Sequence, residues 1–480
     1  MSTAKLALRG SFFVSITNYS LQVISIAFSV VLTRLLSPED FGALALATVV
    51  YSVIDRLRQL GFTYLLIARK DPSDQVIGTH LTLSVGLSVL VVLLTFALSP
   101  ILAHFYSPQV ITVLQVLAVL HLFDTAGIAA TPDALLRKEL RFARLSTVDI
   151  ASTITSLVLA IGAAWLGWGV WALVVRDGAD IVIKAVGMWM IVPHRPRLAF
   201  NYEIAREFLR QGWHMWVAGL STYIIFAYDD FLVGNLLGTA TLGFYERAYR
   251  YAKLPMSPLA PVYTVITPTY ARLQGDPERL SKTYALFLGA VALIAFPAAG
   301  LMALAAPELV VVLLTEKWAG VVPLMRFLLP YAMLRPIMDG TFSMPISLGM
   351  PEVASRIGAI QAVLMLGTCS LLTWQFGAPG AAISASIVVL VGLVLIYVWF
   401  LRKHVQVDYK RILLSPIVGL AVAVMASLAL LYFIPIENMI VRLAVKLMVG
   451  GMVFLAVLFL LQGRYLLEQV KYIYAVVRRG

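Results

Sequence analysis

Six stretches of this chain run for two dozen residues or more without a single Asp, Glu, Lys or Arg: 10–33, 75–123, 150–175, 283–307, 357–401 and 412–436. A helix needs about 20 apolar residues to cross a bilayer core of about 30 Å. The tracts at 75–123 and 357–401 are each long enough for two crossings. Across the whole chain, 13% of residues are charged and 60% hydrophobic, against about 25% charged in a soluble domain. The fold expected is all-α, a polytopic membrane protein of about 14 transmembrane helices.

The expected spans are 11–34, 40–62, 76–98, 109–130, 146–166, 169–192, 212–236, 242–268, 283–304, 321–343, 356–376, 380–401, 413–433 and 441–462. Cytoplasmic loops of membrane proteins collect Lys and Arg. The connections that these spans place on one side, with the two ends and Arg356, hold 24 of the 37 Lys and Arg; the other side holds Arg34, Lys317 and Arg442. That asymmetry predicts cytoplasmic N- and C-termini and accounts for the net charge of +12 without invoking nucleic acid. The first residues run into an apolar stretch with no convincing small-residue cleavage site, so an uncleaved first helix is expected. The single cysteine, Cys369, excludes an intrachain disulfide.

No connection exceeds about twenty residues, which leaves no room for a separate soluble domain. "DALLRKELRFAR", "YEIAREFLRQGW" and "RYLLEQVKYIYAVVRR" read as amphipathic surface helices; in the second, Ile204 and Phe208 share one face and Arg206 and Arg210 another.

The turn "LTRLLSPEDFGALALATVV", 32–50, carries a helix-start signature. Ser37 suits a cap, Pro38 the first helical position, and Glu39 and Asp40 the first turn, where the helix dipole favours acids. Shifted by 201 residues, "RLLSPEDFGAL" (34–44) falls on "NLLGTATLGFY" (235–245), aligning Leu35 with Leu236, Leu36 with Leu237 and Gly42 with Gly243. A second echo relates the segments beginning at 99 and 306. Together they predict a six-helix bundle at 1–192, an amphipathic linker at 193–211, a second six-helix bundle at 212–401, and two added helices with a tail at 402–480. A parallel repeat of this kind implies a cavity between the halves, opened to alternate sides by rocking.

Charges inside spans are costly and usually face such a cavity. Here they include Asp55, Arg56 and Arg58; Arg176, Asp177, Asp180 and Lys184; Asp229 and Asp230; Glu246, Arg247, Arg250 and Lys253; and Arg326, Arg335 and Asp339. Bland readings stand beside the functional one. Arg34, Arg56 and Arg58 could snorkel to an interface, and Asp55 with Arg58 could be an i, i+3 structural pair. Arg250 and Lys253 fall near mid-depth in a span with Pro255, Pro258, Pro261 and Pro268, either a bendable gate or ordinary membrane-helix prolines. Arg34, Arg58, Arg176, Arg247, Arg250, Lys253, Arg326 and Arg335 are the candidate cations for an anionic cargo, because an arginine fork donates paired hydrogen bonds to phosphate.

Residues 9–50, with the turn from Arg34 through Ser37, Pro38, Glu39, Asp40 and Phe41 to Gly42, resemble the N-terminus of Wzx-type polysaccharide flippases. These form the polysaccharide-transport branch of the multidrug/oligosaccharidyl-lipid/polysaccharide exporter superfamily. "ATPDALLRKELRF" at 130–142 and "YERAYRYAKLP" at 245–255 are also similar to that family. The resemblance implies a bacterial inner-membrane transporter. It would move undecaprenyl-pyrophosphate-linked oligosaccharide units from the cytoplasmic to the periplasmic leaflet, for exopolysaccharide or lipopolysaccharide assembly. The cations would hold the pyrophosphate while the lipid tail stays in the bilayer. It further implies coupling to an ion gradient, with Asp55, Asp180, Asp229, Asp230 and Asp339 as candidate coupling acids. Membrane lipids, a glycan polymerase and chain-length or export proteins are the partners it suggests.

Rival readings are a drug exporter or a lipid II flippase of the same superfamily, a membrane glycan polymerase or ligase, and a passive scaffold. The cation excess within spans opposes the first, the turn sequence the second. The enzyme reading lacks a sizeable non-cytoplasmic loop and any H-E-x-x-H, G-x-S-x-G or G-K-[ST] motif. His80, His104, His121, His194, His214 and His404 have no metal-site spacing, so neither metal nor cofactor is expected. A scaffold would gain nothing from mid-membrane charges.

Overall fold

The structure, a computed structural model, describes residues 20–70, 72–192 and 195–479. Residues 11–19 of the first expected span, with Lys5 and Arg9 before it, lie outside the described residues, as do His194 and the side chains of His214 and of the amphipathic stretch 464–479. All regular elements among the described residues are helical.

The chain divides into two compact units. The first comprises residues up to Tyr223 together with Gly238–Gly243. It contains α1 (Ser20–Leu35), α2 (Pro38–Asp55), α3 (Phe62–Ala68), α4 (Asp74–Leu102), α5 (Pro108–Leu120), α6 (Ala130–Lys138), α7 (Phe142–Trp165) and α8 (Val170–Ile191). The long helix α9 (Tyr202–Leu237) gives its residues through Tyr223 to the first unit and Ile224–Leu237 to the second. Most of α10 (Thr239–Ala252) and all of α11 (Ala260–Arg272), α12 (Pro277–Leu304), α13 (Ala306–Leu314), α14 (Val321–Phe327), α15 (Leu329–Ser347), α16 (Pro351–Phe376), α17 (Ala378–His404), α18 (Tyr409–Phe433) and α19 (Met439–Arg479) belong to the second.

The first unit shows how a membrane helix inverts the soluble pattern. Along α4, Ser84, Ser88, Val91, Thr95 and Ser99 are buried at successive turns, while Leu90, Leu93, Phe96 and Ile101 face outward. The inward hydroxyls donate to the carbonyl four residues back, Ser88 to Ser84 at 2.8 Å and Ser99 to Thr95 at 2.7 Å. Small side chains allow close helix contact, and the bonded hydroxyls leave no polar atom unsatisfied in hydrocarbon. Trp165 and Trp168 lie exposed at the α7–α8 turn, where indoles favour the membrane–water boundary.

The turn at Ser37 forms as its residues predict. Ser37 Oγ accepts from the Asp40 amide at 3.2 Å and the Asp40 carboxylate accepts from the Ser37 amide at 2.9 Å, a reciprocal cap. The chain changes direction by 119° between α1 and α2. Gly42 and Gly243, aligned by the sequence repeat, then form a matched pair of close approaches within the first unit. A Cβ on Gly42 would fall 1.7 Å from the Thr239 carbonyl oxygen, and one on Gly243 2.0 Å from that of Pro38. Only glycine permits backbone to meet backbone at both points.

Several expected spans are realised differently. By length and apolarity seven described helices can cross a membrane, and nine if the bent pairs α1–α2 and α14–α15 each count as one, against fourteen expected. The difference lies partly in charge: α8 carries Arg176, Asp177, Asp180 and Lys184, and so falls short on apolarity. It lies partly in breaks. The expected span 242–268 is two helices, since Pro255 and Pro258 interrupt the backbone bonding and a 3-10 turn, Leu254–Leu259, separates α10 from α11. The expected span 321–343 bends by 48° ahead of Pro330. The expected surface helix at 202–213 and the span at 212–236 are one 36-residue helix, α9.

Candidate functional site

The intramembrane charges fall into separate clusters whose partners differ in kind. At the C-terminal end of α2 in the first unit, Arg58 sits in a closed network. Its Nε donates to Asp55; Nη1 donates to Asp124 at 2.8 Å, the His121 carbonyl at 2.9 Å and Ser88 at 3.2 Å; Nη2 donates to Asp124 at 2.6 Å and Tyr51 at 3.3 Å. Asp55 also accepts from Tyr51 at 2.8 Å and Gln59 at 2.6 Å. The Arg58 side chain is 2% exposed. A guanidinium has five N–H donors, and protein acceptors surround all three nitrogens here. Arg56, by contrast, lies 4.2 Å over the Tyr223 ring.

A second cluster lies between α7 and α8. Asp180 accepts from Ser152 at 2.9 Å and Lys184 at 2.8 Å, and Lys184 also faces Asp149 at 3.8 Å. Arg176 pairs with its neighbour Asp177 at 2.7 Å. Arg34 is exposed at the end of α1.

The third cluster, in the second unit, joins the end of α9 to α10 and α15. Tyr245 donates to Asp229 Oδ2 at 2.7 Å, whereas Oδ1 is buried without a hydrogen-bond partner among the described residues. Asp229 is 2% exposed, with Asp230 beside it. Along α10, Arg247 is buried and bonds Glu246 at 2.7 Å, while the half-exposed Arg250 reaches the same carboxylate at 3.2 Å.

Two other cations here rest on aromatic faces. Lys253 Nζ lies 4.1 Å over the Tyr249 ring and makes no ion pair with a described residue. Arg335 lies 4.5 Å over Phe226 and pairs with Asp339 at 2.7 Å. The Tyr249 and Tyr331 rings lie 4.9 Å apart, tilted by 46° to one another. Arg326 stands apart, on α14 beside an apolar groove of about 240 Å³ with Phe327 and Leu390.

Sequence reasoning missed one cluster. Glu308, 2% exposed, accepts from Lys446 at 2.8 Å through both carboxylate oxygens and forms an ion pair with Arg442 at 2.7 Å. This triad ties α13 to α19. It also missed Asp124, which completes the Arg58 network from 66 residues away. Among the described residues no group of three His, Cys, Asp or Glu could hold a metal ion.

Three comparisons bear on this geometry. Residues 31–323 match a family model described as polysaccharide biosynthesis protein. The lipopolysaccharide biosynthesis protein WzxC of Escherichia coli is 22% identical over 80% of this chain and 79% of its own length. The succinoglycan biosynthesis transport protein ExoT of Rhizobium meliloti is 25% identical over 62% of this chain and 60% of its own. Among solved structures, the lipid II flippase MurJ in an inward closed conformation is similar at a TM-score of 0.75, covering 95% of this chain and all of that one at 12% identity. An inward-facing multidrug MATE transporter of the MOP superfamily is similar at 0.65, covering 80% and 94% at 18% identity. At these identities the structural likeness concerns the fold, which is that of the MOP transporters.

Proposed function

The chain belongs to the polysaccharide biosynthesis protein family, and on that premise we propose that it is a flippase for lipid-linked oligosaccharides. Its cargo would be oligosaccharide units on undecaprenyl pyrophosphate, moved from the cytoplasmic to the periplasmic leaflet of a bacterial inner membrane. The relatives named for lipopolysaccharide biosynthesis and succinoglycan transport support a polysaccharide precursor as cargo.

The observation that carries the reading is Lys253. It is a cation in a MOP-type fold, held over an aromatic ring rather than by an acid. A cation–π contact steadies a charge without neutralising it, so Lys253 keeps a charge that an arriving diphosphate can meet. Arg335 and the half-exposed Arg250 are further cations of the same cluster, suited to share a pyrophosphate in turn. Arg58 has a different role, as a tie within the first unit.

Transport is proposed to proceed by alternating access driven by an ion gradient, with Asp229 as coupling acid. Its bare, buried Oδ1 is the group for which a proton or cation would satisfy an otherwise unmet bond. Asp180, held by Ser152 and Lys184, has its bonds met already.

The test is leaflet-resolved flipping in proteoliposomes, with fluorescent undecaprenyl-pyrophosphate oligosaccharide and a cationic dye as control. Movement of the glycolipid and not the dye is expected. Movement of the dye alone would make the chain a drug exporter and refute the role given to Lys253.

A further inference from the structure

A cavity of about 620 Å³ lies within the second unit, where three apolar helices reach one membrane boundary. It is lined from the start of α12 by Glu278, Ser281 and Lys282, from the end of α17 by Lys403 and His404, and from the start of α18 by Asp408 and Arg411. The distribution of Lys and Arg assigns this boundary to the cytoplasm. Three apolar spans place the cavity at headgroup depth, with hydrocarbon on one side and water on the other.

Its charges are not balanced evenly. Glu278 is engaged by Lys282 at 2.7 Å, and Asp408 caps α18 by accepting from the Arg411 amide at 3.1 Å. His404 is held against the Phe400 carbonyl at 2.9 Å and stacks on the Phe400 ring. Lys403 makes neither an ion pair nor a hydrogen bond with a described residue, and its exposed side chain borders the cavity together with Arg411. The walls are fixed in place: the Gln406 amide donates to Ser281 Oγ at 2.9 Å, joining the α17–α18 connection to α12.

We propose that this cavity binds the phosphate of an anionic phospholipid from the cytoplasmic leaflet, with Lys403 and Arg411 as its cationic contacts. Basic pockets between membrane helices suit such headgroups because the acyl chains remain in the bilayer while the phosphodiester meets cations at the interface. This site is separate from the Lys253 cluster and does not depend on the cargo assigned there.

The experiment is native mass spectrometry of the full chain released from nanodiscs of mixed phosphatidylglycerol and phosphatidylcholine, repeated with millimolar inorganic phosphate. Retention of phosphatidylglycerol over phosphatidylcholine is expected. Each cation near the interface contributes about fivefold in affinity, so K403Q with R411Q should lower retention by about 25-fold. K403R should keep it, which separates loss of the site from loss of fold. Equal retention of both lipids, or retention unchanged in the double variant, overturns the proposal. Displacement of the lipid by inorganic phosphate also overturns it, because the site would then be one for a soluble anion.

Discussion

Replacing Arg58 with alanine separates a structural arginine from a cargo-binding one. The side chain is 2% exposed and its partners Asp55 and Asp124 are 7% and 19% exposed. Arg58→Ala leaves two carboxylates with no cation between them. Removing one partner from a buried ion pair costs about 3–5 kcal/mol. Asp124 retains some water, which argues for the lower half of that range. For a unit of roughly 200 residues, each kcal/mol moves the thermal midpoint by about 2–4 °C, so a fall on the order of 10 °C is expected. Arg58→Lys should fall between, since an ammonium cannot fork to both acids. Arg58→Met with Asp124→Asn should recover part of the loss by removing the stranded charge with its partner. The assay is intrinsic-fluorescence melting of the purified chain in detergent, beside glycolipid flipping. An unchanged midpoint in Arg58→Ala together with lost flipping would refute the reasoning and return Arg58 to the cargo.

Lys253→Ala should reduce flipping at least tenfold with normal membrane insertion, because the cation it removes has no ion-pair partner among the described residues to strand; flipping at the wild-type rate in proteoliposomes would remove Lys253 from the path. Asp229→Asn should abolish the response of flipping to an imposed proton or sodium gradient, and a retained response would exclude Asp229 as the coupling group. Gly42→Ala should destabilise the first unit by more than the about 1–3 kcal/mol of ordinary overpacking, since its Cβ would meet a backbone oxygen at 1.7 Å; a wild-type melting curve would show that the backbones separate freely. Glu308→Ala should destabilise by about 3–5 kcal/mol, because Lys446, 9% exposed, would be left buried near Arg442 with no acid; adding Lys446→Met should restore most of that loss in the same melt.

What a sequence discloses about such a chain is set by how local the cause is. The uncharged tracts become α4, α12, α16, α17 and α18 because apolarity over 20 residues is enough to require a helix in a bilayer. The Ser37 cap was legible because all of its atoms lie within four residues. The repeat placed Gly42 opposite Gly243, and the close approaches at both show why each had to be glycine. The break between α10 and α11 was visible only as prolines, since four prolines can bend a helix or end it, and neighbouring packing decides between the two.

Partners a turn away, such as Asp55 for Arg58, were legible in the sequence, but distant partners were not. Arg58 and Lys253 were both candidate cations within apolar runs. Arg58 meets an acid 66 residues away, whereas Lys253 meets the face of a tyrosine four residues before it. No periodicity distinguishes those outcomes, because the partner depends on which helices touch. Yet the partner determines the chemistry. A guanidinium surrounded by carboxylates holds a bundle together, and an ammonium resting on a ring is the one proposed above to meet the cargo. The same distinction sets Asp180, bonded by Lys184 and Ser152, apart from Asp229, with one oxygen bare. In a membrane interior a charge with its bonds met can serve structure, and on the reading proposed above the open oxygen of Asp229 is kept because a coupled ion completes its bonds.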